Sequence, residues 1–272
     1  MNGAVAATAV AGVEVPSWGG VAASVALVAV AVAVTARAQL GLGRELVIAA
    51  ARAAAQLVAV GAVLLVVFGH GGLAGAFGWV ALMILVAGQV AGRRGRGLPS
   101  ARVAATAGVA AGAAATLGAL LAFGVIPSQP RVVIPVGGMI VSGAMQASGL
   151  ALLRLRDAAE TARPAIEARL SLGLPARQAF APHTRGALRT ALLPSIDNTK
   201  VVGLISLPGA MTGLILAGVD PLTAIRYQIV VMYMLLAAAA LASLTSARVA
   251  ERALFDDAHR LRPVAVGIPA KN

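Results

Sequence analysis

The chain has 272 residues, of which 59% are hydrophobic and only 12% charged, and its mean hydropathy is +0.89. An ordinary soluble domain carries about 25% charged residues, so this composition excludes a soluble enzyme, a disordered tail and a disulfide-stapled secreted module. The chain has no cysteine, so it has no disulfide and no thiolate metal site. The net charge is +12, but aromatic residues make up only 3% of the chain, so stacking platforms for a nucleic acid are nearly absent and we expect no nucleic-acid partner.

Seven apolar segments follow one another along the chain, each about long enough to cross a 30 Å hydrocarbon core. They are Trp18–Thr35, Leu46–Phe68, Leu73–Ala91, Val103–Ile126, Val132–Leu153, Val201–Ala217 and Ile225–Ser246. We therefore expect an all-α polytopic membrane protein with about seven transmembrane helices.

The basic residues indicate the orientation of these spans. Of the 22 Lys and Arg residues, 18 fall in the first, third and fifth loops and the C-terminal tail. The positive-inside rule then places the N-terminus outside and the C-terminus in the cytoplasm. Residues Met1–Pro16 contain no Lys or Arg, so the first segment is interpreted as a retained span and not as a signal peptide. The predicted organisation is an external N-terminus (1–17), five spans (18–153), a cytoplasmic coupling loop (154–190), two spans (191–246) and a basic cytoplasmic tail (247–272). The predicted location is the plasma membrane, in bacteria the inner membrane.

The long fifth loop has an amphipathic helical pattern, broken at Pro164 and at Gly173-Leu174-Pro175. The apolar residues of this pattern, which fall near 3- and 4-residue spacings, are Leu152, Leu155, Ala159, Ile166 and Leu170. The loop is either a solvated extension of the fifth span, rich in arginine for topology, or a docking element for a cytosolic partner.

The segment from Glu167 to Gly173 resembles the E-A-A-x-x-x-G loop of ABC-transporter permeases, in which a short helix sits in a groove of the ATPase subunit. Glu167, Ala168 and Gly173 match this loop, and a glycine allows a helix to end in a tight turn. The pattern differs at Arg169, and its Leu-Pro pair appears only at Leu193-Pro194. The three matching residues are the candidate ATPase-coupling residues.

Arg52 and Gln56 lie one turn apart inside the second span and are the first candidate pathway residues. An arginine within a transmembrane helix costs at least about 2.5 kcal/mol on insertion scales, so Arg52 must face protein, water or a headgroup. Two interpretations remain open: Arg52 extends to lipid phosphates, or it lines the pathway.

The entry and the middle of the sixth span supply the next candidates. Asp197 and Lys200 are three residues apart and can pair along one helix face. We favour an ion pair that orders the helix entry over a direct contact with substrate. Pro208 removes a backbone donor and is expected to free the Leu204 carbonyl. Together with Gly209 it predicts a discontinuous span, which marks either a transport site or a passive kink.

The sequence offers few metal ligands and no catalytic residues. No histidine falls inside a span, and Asp197 is the one carboxylate expected in the membrane, near its edge. These residues alone cannot form an oxygen cage for a hard cation. Met139, Met145 and Met211 could supply soft sulfur ligands, although packing is the commoner role of methionine. The chain also lacks a phosphate-binding G-x-x-x-x-G-K-[ST] loop, so ATP would have to be hydrolysed by another chain.

Several segments together resemble the FetB (YbbM) permease family, which is similar to plant aluminium-tolerance membrane proteins. They are Arg52–Leu57, Ile134–Ile140, Glu167–Leu174, Arg189–Asp197, Val201–Gly213, Ala217–Pro221 and Ala224–Ile229. The resemblance implies the membrane subunit of an ABC-type transporter linked to iron export, working with a separate FetA-like ATP-binding subunit that carries ATP and Mg²⁺. The sequence departs from the family pattern at Ser142-Gly143, where relatives typically have Gly-Asn, and at Ala210, where Met is typical.

The leading hypothesis is therefore a homodimeric permease that exports iron or another metal ion, since two membrane halves are needed for one alternating-access path. It is not itself an enzyme, and it holds no cofactor of its own. Two alternatives are an ATP-independent carrier or channel, and a membrane scaffold or sensor whose basic loop binds a cytosolic regulator. Met139, Met211, Asp197 and Lys200 join Arg52, Gln56, Pro208 and Gly209 as candidate pathway residues.

Overall fold

The computed structural model describes residues 17–66 and 71–264. The nine helices in these ranges are α1 (Trp18–Arg37), α2 (Gly43–Val66), α3 (Gly72–Arg94), α4 (Ala101–Ala122), α5 (Pro130–Thr161), α6 (Arg163–Ser171), α7 (Ala176–Val201), α8 (Gly209–Leu216) and α9 (Pro221–Leu254). The predicted external N-terminus apart from Ser17, the end of the predicted second span at Phe68 and residues 265–272 of the tail lie outside the described residues.

Five helices, α1, α3, α4, α5 and α9, are long and apolar enough to cross a membrane. The prediction of an all-α polytopic membrane protein is therefore confirmed, while the number of seven spans and the orientation of the termini stay predictions. Two of the five helices exceed the membrane thickness. With 32 and 34 residues, α5 and α9 are about 48 and 51 Å long at 1.5 Å per residue, against a core of about 30 Å.

The predicted sixth span is not one helix. α7 ends at Val201, residues 202–208 are non-helical, and α8 has only 8 residues, which is about 12 Å of helix. The chain turns at Gly203, whose φ of +84° ends the helix, and the Gly203 amide donates to the Ser206 carbonyl at 2.9 Å. The sixth span is discontinuous, as predicted, but Pro208 lies after this turn, so the expectation that it frees the Leu204 carbonyl within a helix is wrong.

The chain divides into two compact units, which are described separately. The first contains α1, α2, α8 and the first residues of α9. Ser17 caps α1, because its hydroxyl accepts a hydrogen bond from the Gly20 amide at 3.1 Å. α1 and α2 pack against each other as a helical hairpin. Their described apolar side chains are largely exposed, which is the surface expected of helices in lipid.

The second unit runs from Gly72 to Pro208 and continues from Ile225. Its helices approach closely through small residues on α3 and α4, because a small side chain allows two helix backbones to come together. Gly88 and Gly92 of α3 face α4, and Gly108 and Gly112 of α4 face α9. A third small-residue pair in the sequence, Gly209 and Gly213, has no such neighbour within 4 Å among the residues that the structure describes.

A hydrophobic core lies where α5, α6, α7 and the end of α9 meet. Leu152, Leu155, Ala159 and Ile166 are fully buried there, and Leu170 packs against them. The amphipathic pattern predicted for the long loop is thus confirmed. After α9 the chain forms a C-terminal segment (residues 255–264) that folds back on this core, with a bridge between Phe255 and Leu261.

Candidate transport cleft and coupling helix

A cleft of about 560 Å³ lies between α5, α7 and α9 in the second unit. Its lining residues are Arg94, Gly138, Met139, Ser142, Gly143, Gln146, Ala147, Leu150, Ala191, Pro194, Ser195, Asn198, Thr199, Met232, Leu235 and Leu236. The side contributed by α9 is apolar, whereas α5 and α7 contribute hydroxyl and amide groups. This combination of apolar wall and a few convergent polar groups is typical of a binding site.

The polar groups follow the helical repeat on two facing helices. On α5, Ser142 and Gln146 are one turn apart, and the Gln146 amide donates to the Ser142 hydroxyl at 3.5 Å. On α7, Ser195 and Thr199 are likewise one turn apart, and the Thr199 hydroxyl donates to the Ser195 carbonyl at 2.8 Å. Spacing by four residues thus places two pairs of polar side chains along the same cleft.

Arg94, the last residue of α3, reaches the cleft because α5 has no side chain at Gly149. A Cβ atom at residue 149 would lie 2.9 Å from Arg94 Cδ and 3.6 Å from Nε. Ordinary contacts between carbon atoms need about 3.5–4.0 Å, so any side chain at residue 149 would shift the arginine from its position across α5. Among the described residues that line the cleft, Arg94 is the only one with a formal charge.

The donors in the cleft do not suit a bare hard metal ion. No carboxylate is among the described lining residues, and the described chain has no group of three or more His, Cys, Asp or Glu able to hold a metal ion. Ions such as iron, calcium or magnesium rely on carboxylate oxygens or imidazole. Met139 and Met232 contribute thioether sulfur, a ligand that selects soft ions such as Cu⁺.

The predicted pathway residues are spread over both units, and of these only Met139 lines the cleft. Asp197 and Lys200 form the predicted ion pair on α7, with Nζ 3.4 Å from Oδ1, but their side chains are 61% and 68% exposed. Pro208 belongs to the non-helical segment after α7.

The remaining four candidates belong to the first unit. Arg52 and Gln56 lie one turn apart on α2, and both are exposed. Gly209 and Met211 lie in the first turn of α8.

Sequence reasoning missed most of the cleft. Arg94 is one of the basic residues of the third loop, which in the sequence indicate only topology, although it lines the cleft. Ser142 and Gln146 carry a readable signal, since two polar residues one turn apart interrupt an apolar span. Ser142-Gly143, the pair that departs from the family pattern, lies in the cleft.

The candidate coupling residues lie on and just after α6, a helix of nine residues. Gly173 has φ of +85° and follows the helix; its amide donates to the Leu170 carbonyl at 2.9 Å, and the Leu174 amide donates to the Arg169 carbonyl at 3.2 Å. This pair of bonds is the Schellman motif, which requires a left-handed residue at Gly173. The predicted tight turn is present.

α6 is fixed to the rest of the second unit at both of its ends. Ile166 is fully buried in the core. The Arg163 guanidinium donates to the Arg262 carbonyl in the C-terminal segment at 2.7 Å and pairs with Glu167 at 2.7 Å. Arg169 donates to the Ala179 carbonyl on α7 at 3.2 Å. These contacts hold α6 against α7 and the C-terminal segment, so α6 is a packed helix and not a free loop.

The outer face of α6 is open. Glu167 and Ala168 are exposed, and Leu172 at the end of the helix is 80% exposed. An exposed leucine is ordinary by itself, but here it lies in the segment that the sequence predicts to be cytoplasmic, beside an exposed alanine and a carboxylate.

His183 on α7 lies near α6, and its surroundings favour the neutral imidazole. Burial, followed by the positive charge of Arg169, lowers the pKa of His183 below its ordinary value of 6.5. Its ring packs against Phe180, with centroids 5.7 Å apart. Protonation of His183, which would add a positive charge beside Arg169, is therefore disfavoured at the junction of α6 and α7.

Comparison with known proteins places the chain in a family. Residues 18–255 match the family described as Uncharacterised protein family (UPF0014). The UPF0014 membrane protein STAR2 of Oryza sativa subsp. japonica is 43% identical over 221 residues, which cover 80% of this chain and 76% of STAR2. No solved structure matches the chain.

Two further relatives cover a similar length. The Protein ALUMINUM SENSITIVE 3 of Arabidopsis thaliana is 38% identical over 222 residues, 80% of each chain. The Probable iron export permease protein FetB of Escherichia coli (strain K12) is 37% identical over 210 residues, which cover 77% of this chain and 81% of FetB. Its described residues contain five helices long and apolar enough to cross a membrane, and the chain is a multi-pass membrane protein of the UPF0014 family.

Proposed function

We propose that this chain is the permease subunit of an ABC-type transporter, driven by a separate FetA-like subunit that binds ATP and Mg²⁺. Its membership of a membrane-protein family supports a transport role, and one relative carries the name of an iron export permease. The cargo proposed from that name is iron or another metal. The functional unit is a homodimer, so that two membrane halves enclose one path.

The observation that carries this proposal is the connection made by α6. It joins α5 directly to α7, the two helices that provide the polar side of the cleft, and it packs against both. A force applied to the outer face of α6 therefore acts on both sides of the cleft. Because packed elements move as rigid bodies between discrete arrangements, ATP-driven closure of the partner can change access to the cleft.

The docking face is tested by co-purifying the tagged chain with its ATPase subunit in detergent. Ala168→Arg and Leu172→Arg place a bulky charge on the outer face of α6 without touching the core, and we expect each to abolish association. Gln178→Arg adds the same charge at an exposed position on α7 and should leave association intact. Association that survives both α6 variants would refute docking through α6, and a wild-type chain that binds no ATPase would favour an ATP-independent carrier.

A further inference from the structure

The chemistry of the cleft conflicts with a bare metal ion as cargo. Arg94 brings a positive charge to the end of the cleft, and among the described residues no carboxylate forms an ion pair with it. The other polar groups, on α5 and α7, are neutral hydroxyls and amides, which donate hydrogen bonds as readily as they accept them. We propose that the cleft binds an anion with carboxylate or phosphate oxygens, and that a metal crosses only as an anionic chelate. This inference rests on the proposed function, in which the cleft receives the cargo.

The position of Arg94 is built into the fold. Arg93, its neighbour on α3, is also exposed but does not line the cleft. Arg94 lies across α5 because Gly149 leaves space for its Cδ and Nε atoms. Arg94 is exposed, but its Cδ and Nε lie over Gly149 and beside the cleft, whereas an arginine needed only for membrane orientation can point anywhere at the headgroup level.

The guanidinium and its neighbours match an oxyanion. Arginine binds carboxylate and phosphate groups through paired charge-assisted hydrogen bonds. Further along the cleft, the amides of Gln146 and Asn198 and the hydroxyl of Ser195 can each donate a hydrogen bond to an oxygen-rich solute. The same Arg94 charge repels a free cation, including a soft ion approaching Met139.

An anionic chelate reconciles this cleft with a metal cargo. The chelator supplies the carboxylate or phosphate oxygens that the cleft lacks, and the complex presents negative charge to Arg94. The cleft then recognises the outside of the chelate, and the metal needs no ligand from the protein.

The test measures equilibrium binding to the purified chain alone, in nanodiscs of phosphatidylcholine, so that no anionic lipid competes for Arg94. The probes are radiolabelled citrate and pyrophosphate, each with and without Fe³⁺, and free Fe²⁺ and Ag⁺. We expect the wild type to bind the anionic probes, and Arg94→Gln to weaken that binding by about 10-fold or more. Arg93→Gln is the matched control. Its affinity for the anionic probes should stay within about 2-fold of the wild type, because Arg94 can still form charge-assisted hydrogen bonds with the probe.

Two further variants separate charge from folding. Arg94→Lys keeps the charge and should bind better than Arg94→Gln, though less well than the wild type, because lysine lacks the paired donors. Gly149→Ala keeps Arg94 but displaces it, and should also weaken binding of the anionic probes. Ag⁺ should bind more tightly to Arg94→Gln than to the wild type, because the repelling charge is gone.

Three results would overturn the inference: no binding of any anionic probe by the wild type, equal binding by Arg94→Gln and Arg93→Gln, or tighter binding of free Fe²⁺ or Ag⁺ than of the anions. These measurements need no ATPase. If the chain fails to bind the anionic probes, the proposed permease function is therefore not affected. That function is tested separately, by association with the ATPase.

Discussion

Replacing Gly112 by alanine should loosen the crossing between α4 and α9, the helix that provides the apolar wall of the cleft. A Cβ atom at residue 112 would lie 2.7 Å from the Ala238 carbonyl oxygen and 2.9 Å from the Ala242 Cβ. Contacts between carbon atoms are most favourable at about 3.5–4.0 Å, so α9 must move away by roughly 1 Å. Overpacking of this kind costs about 1–3 kcal/mol.

Gly118→Ala is the matched control, because Gly118 lies in the same helix with nothing within 4 Å. Both substitutions gain about 1 kcal/mol of helix propensity, so this gain cancels in the comparison. Gly112→Ala should therefore be less stable than Gly118→Ala by about 1–3 kcal/mol. Unfolding by SDS in mixed micelles, followed by circular dichroism, measures the difference. Equal stability of the two variants would refute the close packing of α4 on α9.

Four other predictions concern α6, α7 and the C-terminal segment. Gly173→Ala forces a side chain into the left-handed region and should cost about 1–2 kcal/mol, whereas Gly186→Ala within α7, with equally open surroundings, should be neutral or stabilising in the same unfolding assay. The lowered pKa of His183 means that the unfolded chain takes up a proton near pH 6.5 and the folded chain only at lower pH. Stability is therefore lost as pH falls through that window, and His183→Gln should lessen the loss. Arg169→Gln should raise the pKa of His183 in an NMR titration, and an unchanged value would refute the electrostatic coupling. The Asp256 carboxylate accepts three hydrogen bonds in the C-terminal segment, so Asp256→Ala should accelerate amide hydrogen exchange there while leaving exchange in α4 unchanged.

Local patterns predicted the helical architecture well, because they depend on residues close in sequence. The spacing of Leu155, Ala159 and Ile166 identified the buried face that α5 and α6 present to the core. The glycine at 173 predicted the turn that ends α6, since a left-handed residue is a local requirement of that turn. The ion pair between Asp197 and Lys200 also follows from spacing alone.

The cleft could not be predicted in the same way, because it depends on contacts between distant segments. Arg94 looks like any arginine of a positive-inside loop until Gly149, on another helix, is seen to admit it. Pro208 and Gly209 predicted a break in the sixth span, but hydropathy does not detect that Gly203 adopts a positive φ and that α7 ends at Val201, where the predicted span begins. Hydropathy measures transfer into lipid, whereas the end of a helix depends on backbone conformation.

The central claim, that a partner ATPase moves the cleft through α6, has a direct test in the cysteine-free chain. Ser195→Cys introduces a single thiol into the cleft, and its rate of labelling by a water-soluble maleimide is measured in the complex with the ATPase, with and without ATP. The account predicts that ATP changes this rate, and that adding Leu172→Arg, which disrupts docking on α6, abolishes the change. A labelling rate that is the same with and without ATP in the intact complex would contradict it.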